Sequence, residues 1–462
     1  MSFDDTIAAV STPPGEGGIG IVRLSGPSAL EKADRIFISP KGRKLADVQS
    51  HTLVYGFIVD PVTGKRIDEV LAGVMRAPRT YTREDVVEFN CHGGMVPLTA
   101  TLDLLLREGV RLAEPGEFTK RAFLNGRLDL SQAEAVIDVI RARTGQAERI
   151  ALMQLEGGLS RKINSVKECV ISLCTHVEAY IDFPEDEPEI VEKGRMLEAV
   201  ESVSAELRRL SLGYEEGRFF REGVSAAIVG KPNVGKSSLL NALVQRDRAI
   251  VAESPGTTRD VIEDYLNING LPLRVMDTAG IREAHDLAEV EGVRRSLKAI
   301  EGADIVLAVL DAGSPVEEAD RELLERVKDK KTVFVINKID KELVLEETAF
   351  GSPQAPVVRV SARTGQGMDE LKEAVYALCV RADRLHGEGQ EDVLVTNLRH
   401  KNAIDRALQA VSRAGTCLQK DEPPEVSALY LRESLDCLGE IVGAVTSEDI
   451  LNRIFGQFCI GK

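Results

Sequence analysis

Three textures of apolar and polar positions follow one another along the chain. Up to about residue 120, short apolar runs such as GIGIVRLSG, HTLVYGFIV and DVVEFNCHGG alternate with Gly- and Pro-containing turns, and one amphipathic stretch predicts a helix near 96–107. That mixture reads as α/β or α+β. From Asp129 the apolar positions recur every three to four residues towards Tyr180, and Gly157 and Gly158 mark a break. Ser131 followed by Glu134 reads as the capping box that opens this run. A second helical stretch covers about 191–220.

At Gly223 the pattern changes again. VSAAIVG, LRVMDTAG, DIVLAVLD, TVFVINK and APVVRVSA are compact apolar runs separated by segments of crossover-helix length. Strands buried on both faces have this character, so the region predicts a parallel, doubly wound sheet. After about residue 382 helices resume at 397–419, at 427–444 and from Ser447. Two helical halves around a complete α/β unit predict an insertion, which a bundle tolerates where its chain ends lie close together. The expected organisation is multidomain α/β and all-α. It comprises an N-terminal α/β domain (1–120), a helical bundle domain in two halves (121–222 and 383–462), and a doubly wound domain (223–382) interrupting that bundle.

Composition narrows the class. A chain of 462 residues exceeds what one hydrophobic core supports. The apolar fraction of 43% and charged fraction of 29% are those of a globular protein. No apolar run approaches membrane-spanning length, and MSFDDTIAAVS lacks the basic start of a signal peptide. Seven cysteines without a CxxC pair argue against a disulfide framework or structural zinc, and fit a reducing cytoplasm. Of these, Cys91, Cys169 and Cys174 read as structural, the last two on an apolar helix face. The net charge of −16 argues against diffuse electrostatic binding of nucleic acid, so any RNA partner would be held at a local site. The most acidic segment, DFPEDEPEIVE (182–192), reads as a solvated loop.

The chemistry begins at GKPNVGKS, Gly230 to Ser237, which follows an apolar strand and opens a helix. This is the G-x-x-x-x-G-K-[ST] phosphate loop in the context it requires. Backbone N–H groups from Asn233 through Val234, Gly235, Lys236, Ser237 and Ser238 are expected to wrap phosphate oxygens at the helix N-terminus. Lys236 would reach the β- and γ-phosphates, and the Ser237 hydroxyl would bind Mg²⁺. DTAG (Asp277, Thr278, Ala279, Gly280) places a carboxylate near the metal and an N–H near the γ-phosphate. NKID supplies Asn337, Lys338 and Asp340, and the Asp340 carboxylate can accept from N1 and N2 of guanine, a donor pair adenine lacks. SAR (Ser361, Ala362, Arg363) offers a backbone contact to O6. PGTTRD lies between these motifs, with Thr258 the switch threonine expected on Mg²⁺. The region is therefore read as a Ras-like P-loop GTPase domain that binds GTP. Ile281 stands after DTAG where a water-orienting glutamine would be useful, so a carboxylate must come from elsewhere, and EAHDLAEVEG (283–292) offers several. Arg259 and Arg282 are the candidates for an arginine finger, and neither is assigned.

DTIAAVSTPPGEGGIGIVRLSG, PGEFTKRAFLNGRLDLSQAEA, GKPNVGKSSLLNAL with PGTTRD, and the terminal FCIGK together resemble the family of tRNA modification GTPases called MnmE or TrmE, along the whole chain. The resemblance implies a folate-binding-like N-terminal domain that also forms a homodimer. It implies a one-carbon cofactor, 5,10-methylenetetrahydrofolate or 5-formyltetrahydrofolate, with contacts on Arg23, Glu84, Arg127 and Lys462. It further implies an FAD-dependent partner, MnmG (GidA), in a heterotetramer or larger complex. That complex would install an aminomethyl-type group on C5 of the tRNA wobble uridine. The family is potassium-activated. By likeness, Asn233 and Thr257 would bind K⁺ through side chains, and Ala252 and Ser254 through carbonyls. The nucleotide contacts extend over Ala252, Glu253, Ser254, Pro255, Gly256, Thr257 and Thr258. The carboxylate that orients water maps to Glu289, with Glu291 the alternative. The tail is expected to fold back to the folate pocket, packing Ile460 and Gly461. Cys459 is then either a nucleophile or acid in uridine chemistry, or a buried thiol packed as a small hydrophobe. A rival reading from another class is an RNA- or ribosome-associated regulatory GTPase switch without modification chemistry.

Overall fold

The computed structural model describes residues 5–182, 190–247, 265–276, 298–345, 355–380 and 393–462. They form two compact units, one of residues 5–137 and 439–462, the other of the described residues between 138 and 438.

The first unit is built on a seven-stranded sheet: β1 (Ile7–Val10), β2 (Gly17–Ser25), β3 (Phe37–Ile38), β4 (Thr52–Val59), β5 (Arg66–Met75), β6 (Val86–Gly93) and β7 (Arg111–Leu112). The order is β3-β4-β5-β6-β2-β1-β7, antiparallel except where β7 lies parallel to β1. Alternation along the strands assigns the two faces. Val22 and Leu24 of β2 and Val87 and Phe89 of β6 enter a core closed by the helices Ala29–Ile36 and Met95–Arg107. The intervening residues Arg23 and Ser25 point to the opposite face. There Ile7 and Ala9 of β1 pack with Ala113 and Phe118, and Phe118 anchors the helix Glu117–Leu124. Burying a phenylalanine whole contributes ~1.5–3 kcal/mol.

The C-terminal helix Glu448–Phe455 packs on Glu117–Leu124. Its N-cap Ser447 accepts from the Ile450 N–H, and Leu451, Ile454 and Phe455 form its buried stripe. The ring of Phe455 meets those of Phe123 and Phe458 at centroid distances of 6.5 and 5.8 Å.

The helix Leu130–Arg141 starts one step before the expected box. Asp129 Oδ1 accepts from Gln132 N at 2.9 Å and Gln132 Oε1 accepts from Asp129 N at 3.0 Å, so these two residues form the reciprocal cap. Fully buried Leu130 is already helical, which moves Ser131 and Glu134 inside the first turns, where both are buried.

The expected long helical run is three helices, Leu130–Arg141 and then, in the second unit, Gly145–Leu155 and Gly158–Asp182, which flank the Gly157 break. Ile190–Leu212 and Tyr214–Glu222 follow, and Leu398–Gln419 packs against Ile190–Leu212. The six-stranded sheet comprises β8 (Val224–Val229), β9 (Tyr265–Ile268), β10 (Leu271–Val275), β11 (Ile305–Asp311), β12 (Lys331–Asn337) and β13 (Val357–Arg359). Its order is β13-β12-β11-β8-β10-β9. All pairings are parallel except β9–β10, an antiparallel hairpin that modifies the expected all-parallel sheet. Both faces are covered, one by the helices Lys236–Asp247 and Met368–Cys379, the other with the help of Glu318–Arg326. The chain leaves for this sheet and returns from it at neighbouring points, because a Cβ on Gly217 would lie 2.2 Å from the Val395 carbonyl oxygen. Among the described residues no helix is long and apolar enough to cross a membrane.

Candidate functional site

The phosphate loop joins the fully buried strand β8 to the helix that starts at Lys236. Gly235, at φ +98°, brings its Cα so close to β12 that a Cβ would sit 2.3 Å from Asn337 Nδ2. Lys236 is folded over the loop, donating to the Gly230 and Lys231 carbonyls at 2.7 and 2.8 Å. Burial pushes its ammonium below the usual range. A half-buried cation held by neutral carbonyls gains from an anion, so this donor set fits a phosphate. Asn233 (φ +65°), Ser237 and Ser238 are exposed beside it, and Val234 is buried.

The base-reading loops are tied to the phosphate loop by Asn337. Its Nδ2 donates to Val234 O at 2.9 Å, and its Oδ1 accepts from Ala362 N at 3.1 Å. Asn337 is 1% exposed, so its geometry is that of a strut between three loops. Lys338 donates to the Asn233 carbonyl and to Asp311 Oδ2, the latter at 2.6 Å. Asp340 presents an exposed carboxylate, oriented by the Ser361 hydroxyl at 2.7 Å. That hydrogen bond holds Asp340 below the usual carboxylate range. Arg363 is exposed. Ala252, Glu253, Ser254, Pro255, Gly256, Thr257, Thr258, Asp277, Thr278, Ala279, Gly280 and Glu289 lie outside the described residues, as do Arg259, Ile281, Arg282 and Glu291.

A second constellation lies on the Phe118 face of the first unit. Arg23 pairs across the strands with Glu88, Nε to Oε1 at 2.7 Å, and donates through Nη1 to the Gly461 carbonyl at 3.3 Å. Its guanidinium lies 5.6 Å from the Phe118 ring centroid and 5.9 Å from that of Tyr81. Arg127 stacks on the same Tyr81 at 4.6 Å and donates to its carbonyl at 3.0 Å. Two residues along β2, Ser25 Oγ donates to Glu84 Oε2 at 2.6 Å. Burial and neighbouring Arg23 lower the Lys462 ammonium, with Glu88 and Cys459 opposing. Arg23, Arg127 and Lys462 thus offer cations for an acidic tail, and Glu84 a carboxylate for N–H donors. This set fits a folate.

The tail is docked by its backbone. Ile460 bridges to Pro115, and Gly116 N donates to Cys459 O at 3.4 Å. Gly461 is buried at φ +96°, where a Cβ would lie 2.4 Å from Val10 O. The Ile460 side chain, expected to be packed, is 50% exposed because the bridge turns it outward. Cys459 is exposed, which removes the buried-thiol alternative. Cys169 is exposed too, off the apolar helix face expected for it, whereas Cys174 is buried. Cys91 is buried with its thiol pushed up to about 12 by desolvation, consistent with a packing role. Sequence reasoning missed Tyr81, Ser25 and Arg121, whose connections to the site are long-range. Arg121 does lie in the PGEFTKRAFLNGR stretch that carried the resemblance.

Two family models match the chain: "GTP-binding protein TrmE N-terminus" over residues 6–127 and "MnmE helical domain" over residues 130–459. Proteins called tRNA modification GTPase MnmE are similar over the whole length. That of Carboxydothermus hydrogenoformans is 49% identical over 463 residues, covering 100% of both chains. Those of Acetivibrio thermocellus and Geobacillus kaustophilus are each 47% identical, over 464 and 465 residues, again covering 100% of both chains.

Proposed function

The chain belongs to the MnmE family of tRNA modification GTPases, and from that premise we propose that it uses GTP hydrolysis to drive modification of C5 of the tRNA wobble uridine. The proposed partners are a second copy of this chain, the tRNA, and the FAD-dependent MnmG, in the cytoplasm. The observation that carries the reading is the C-terminal backbone seated against Arg23, 438 positions away in sequence. That contact supports the reading because it brings the last residues of the chain beside the cations proposed to hold the folate.

Within this reading, Arg23, Arg127, Lys462 and Glu84 hold a tetrahydrofolate, which supplies the one-carbon unit when bound. The cations take its carboxylates and Glu84 its N–H edge. Lys236 exchanges its loop carbonyls for β- and γ-phosphate oxygens, and Asp340 selects guanine by accepting from two N–H groups. Ser237 and Thr258 would hold Mg²⁺. Asn233, Thr257 and the carbonyls of Ala252 and Ser254 would hold K⁺, which supplies the positive charge an arginine finger gives elsewhere. Glu289 would orient water, and Cys459 would act on the uridine as nucleophile or acid. The domain division proposed is 1–120, 121–222 with 383–462, and the inserted 223–382. Nucleoside mass spectrometry of tRNA from cells lacking this chain tests the reading. Wobble uridines without the C5 group, restored by the intact gene, are expected; unchanged wobble uridines would refute the proposal.

A further inference from the structure

Behind Glu84 lies an ionic layer. Arg121 is fully buried and reaches three carboxylates. Its Nη1 donates to Glu84 Oε1 and Oε2 at 3.2 and 3.3 Å, and its Nη2 to Asp5 Oδ1 at 2.7 Å and Glu117 Oε1 at 3.0 Å. Arg111 serves two of those carboxylates as well, through Asp5 Oδ2 at 2.7 Å and Glu117 Oε2 at 2.9 Å. Glu84 differs: its second support is a neutral hydroxyl. Ser25 Oγ lies 2.6 Å from Glu84 Oε2 and 2.6 Å from Thr82 Oγ1. A carboxylate accepts, so Ser25 donates to Glu84, and Thr82 donates to Ser25. Ser25 has one hydroxyl proton, which the carboxylate takes, and that fixes the direction of this relay; both hydroxyl residues are fully buried.

The backbone of Glu84 is held by further groups. Thr80 Oγ1 donates to Glu84 O at 2.6 Å, and Asn125 Nδ2 donates to Thr82 O at 2.7 Å. Thr82 Oγ1 also accepts from the Glu84 N–H at 3.3 Å, so the relay hydroxyl supports the loop backbone as well as the carboxylate. Five ionisable side chains make up the layer, three acidic (Asp5, Glu84, Glu117) and two basic (Arg111, Arg121). The surplus is one negative charge, and among the described residues Arg111 hydrogen-bonds Asp5 and Glu117 but not Glu84. That arrangement suits a ligand edge bearing two adjacent N–H donors, as the 2-amino-4-oxo edge of a pterin does.

We propose that Arg121, aided by the Ser25–Thr82 relay, is the positioning residue that aims the Glu84 carboxylate at the donor edge of the folate. The proposal rests on the folate reading of this site. Arg121 acts through Glu84 and touches no ligand itself.

Titration of 5-formyltetrahydrofolate into the full-length chain tests it, with Arg121→Gln, Arg121→Lys, Glu84→Gln and Arg121→Gln/Glu84→Gln. Removing a charge-assisted hydrogen bond predicts about tenfold weaker binding for Arg121→Gln. Lysine keeps the charge but not the fork, so Arg121→Lys should recover part of the loss. Because Arg121 works through Glu84, the double variant should bind no more weakly than Glu84→Gln alone. A purely structural Arg121 would weaken the two backgrounds equally, and that result overturns the proposal, as does wild-type affinity in Arg121→Gln. Should Arg121→Gln fail to fold by circular dichroism, Ser25→Ala replaces it. A loss in Ser25→Ala that disappears in the Glu84→Gln background supports the proposal, and unaltered binding overturns it. Failure of the unaltered chain to bind folate would overturn the folate reading itself, an outcome distinct from normal binding by the variants.

Discussion

Replacing Gly235 by alanine tests the claim that the phosphate loop and the base-reading loops are one braced object. The added methyl would sit 2.3 Å from Asn337 Nδ2, and the residue would have to keep φ +98°. A left-handed conformation costs an L-residue roughly 1–2 kcal/mol. Asn337 cannot move away cheaply, because it is 1% exposed and bonds both Val234 O and Ala362 N. Losing either bond leaves a buried polar group unsatisfied, at about 1–3 kcal/mol. The sum, about 2–5 kcal/mol, falls on the loop conformation that binds the nucleotide. Affinity for a fluorescent GTP analogue should drop about thirtyfold or more. Thermal unfolding of the variant should shift by only a few degrees, since the strain can relax by releasing the loop. Wild-type affinity in Gly235→Ala would refute the bracing argument.

Three further outcomes follow from the same reasoning. Burial raises Glu117, but hydrogen bonds from Arg111, the Glu114 N–H and Arg121 outweigh it and hold the carboxyl below its ordinary value. Its stabilisation is therefore present above the unfolded carboxylate pKa of about 4.3 and is lost as pH falls through the folded value. Glu117→Gln should cost about 3 kcal/mol at neutral pH and flatten the acid limb of the thermal-unfolding profile; an unchanged acid limb would count against this. Exchanging K⁺ for Na⁺ should lower GTP turnover by about tenfold or more if a cation stands in for the arginine finger, and equal turnover in both salts would dismiss that role. Glu289→Ala should keep nucleotide binding and slow hydrolysis by about a hundredfold or more, whereas full turnover would remove Glu289 from the mechanism.

Much of this was legible in the chain because the signals are local. GKPNVGKS, NKID and SAR occupy the loops after β8, β12 and β13, since a buried apolar strand followed by glycine or a polar break leaves few alternatives. The short helix expected from Ser447 is the observed Glu448–Phe455. What stayed hidden depends on residues far apart. The strand β9, only Tyr265–Ile268, has no pattern of its own and exists through pairing with β10. Ser131 resembled an N-cap until the burial of Leu130 set the helix start and gave the cap to Asp129. Asn337 read as a base contact, but its side chain is spent on Val234 and Ala362, a role invisible without the loops in place. Arg121 and Ser25 look like ordinary surface-pattern residues, and only the second face of the sheet turns them inward onto Glu84.

The central claim is that the N-terminal sheet and the last residues of the chain make one folate site. Gly461→Ala tests it without altering any side chain proposed to touch the ligand, because its methyl would strike the Val10 backbone 2.4 Å away and lift Lys462 from beside Arg23. Titration with 5-formyltetrahydrofolate should give binding by the unaltered chain and at least about tenfold weaker binding by the variant. Equal affinity in the two proteins would contradict the account.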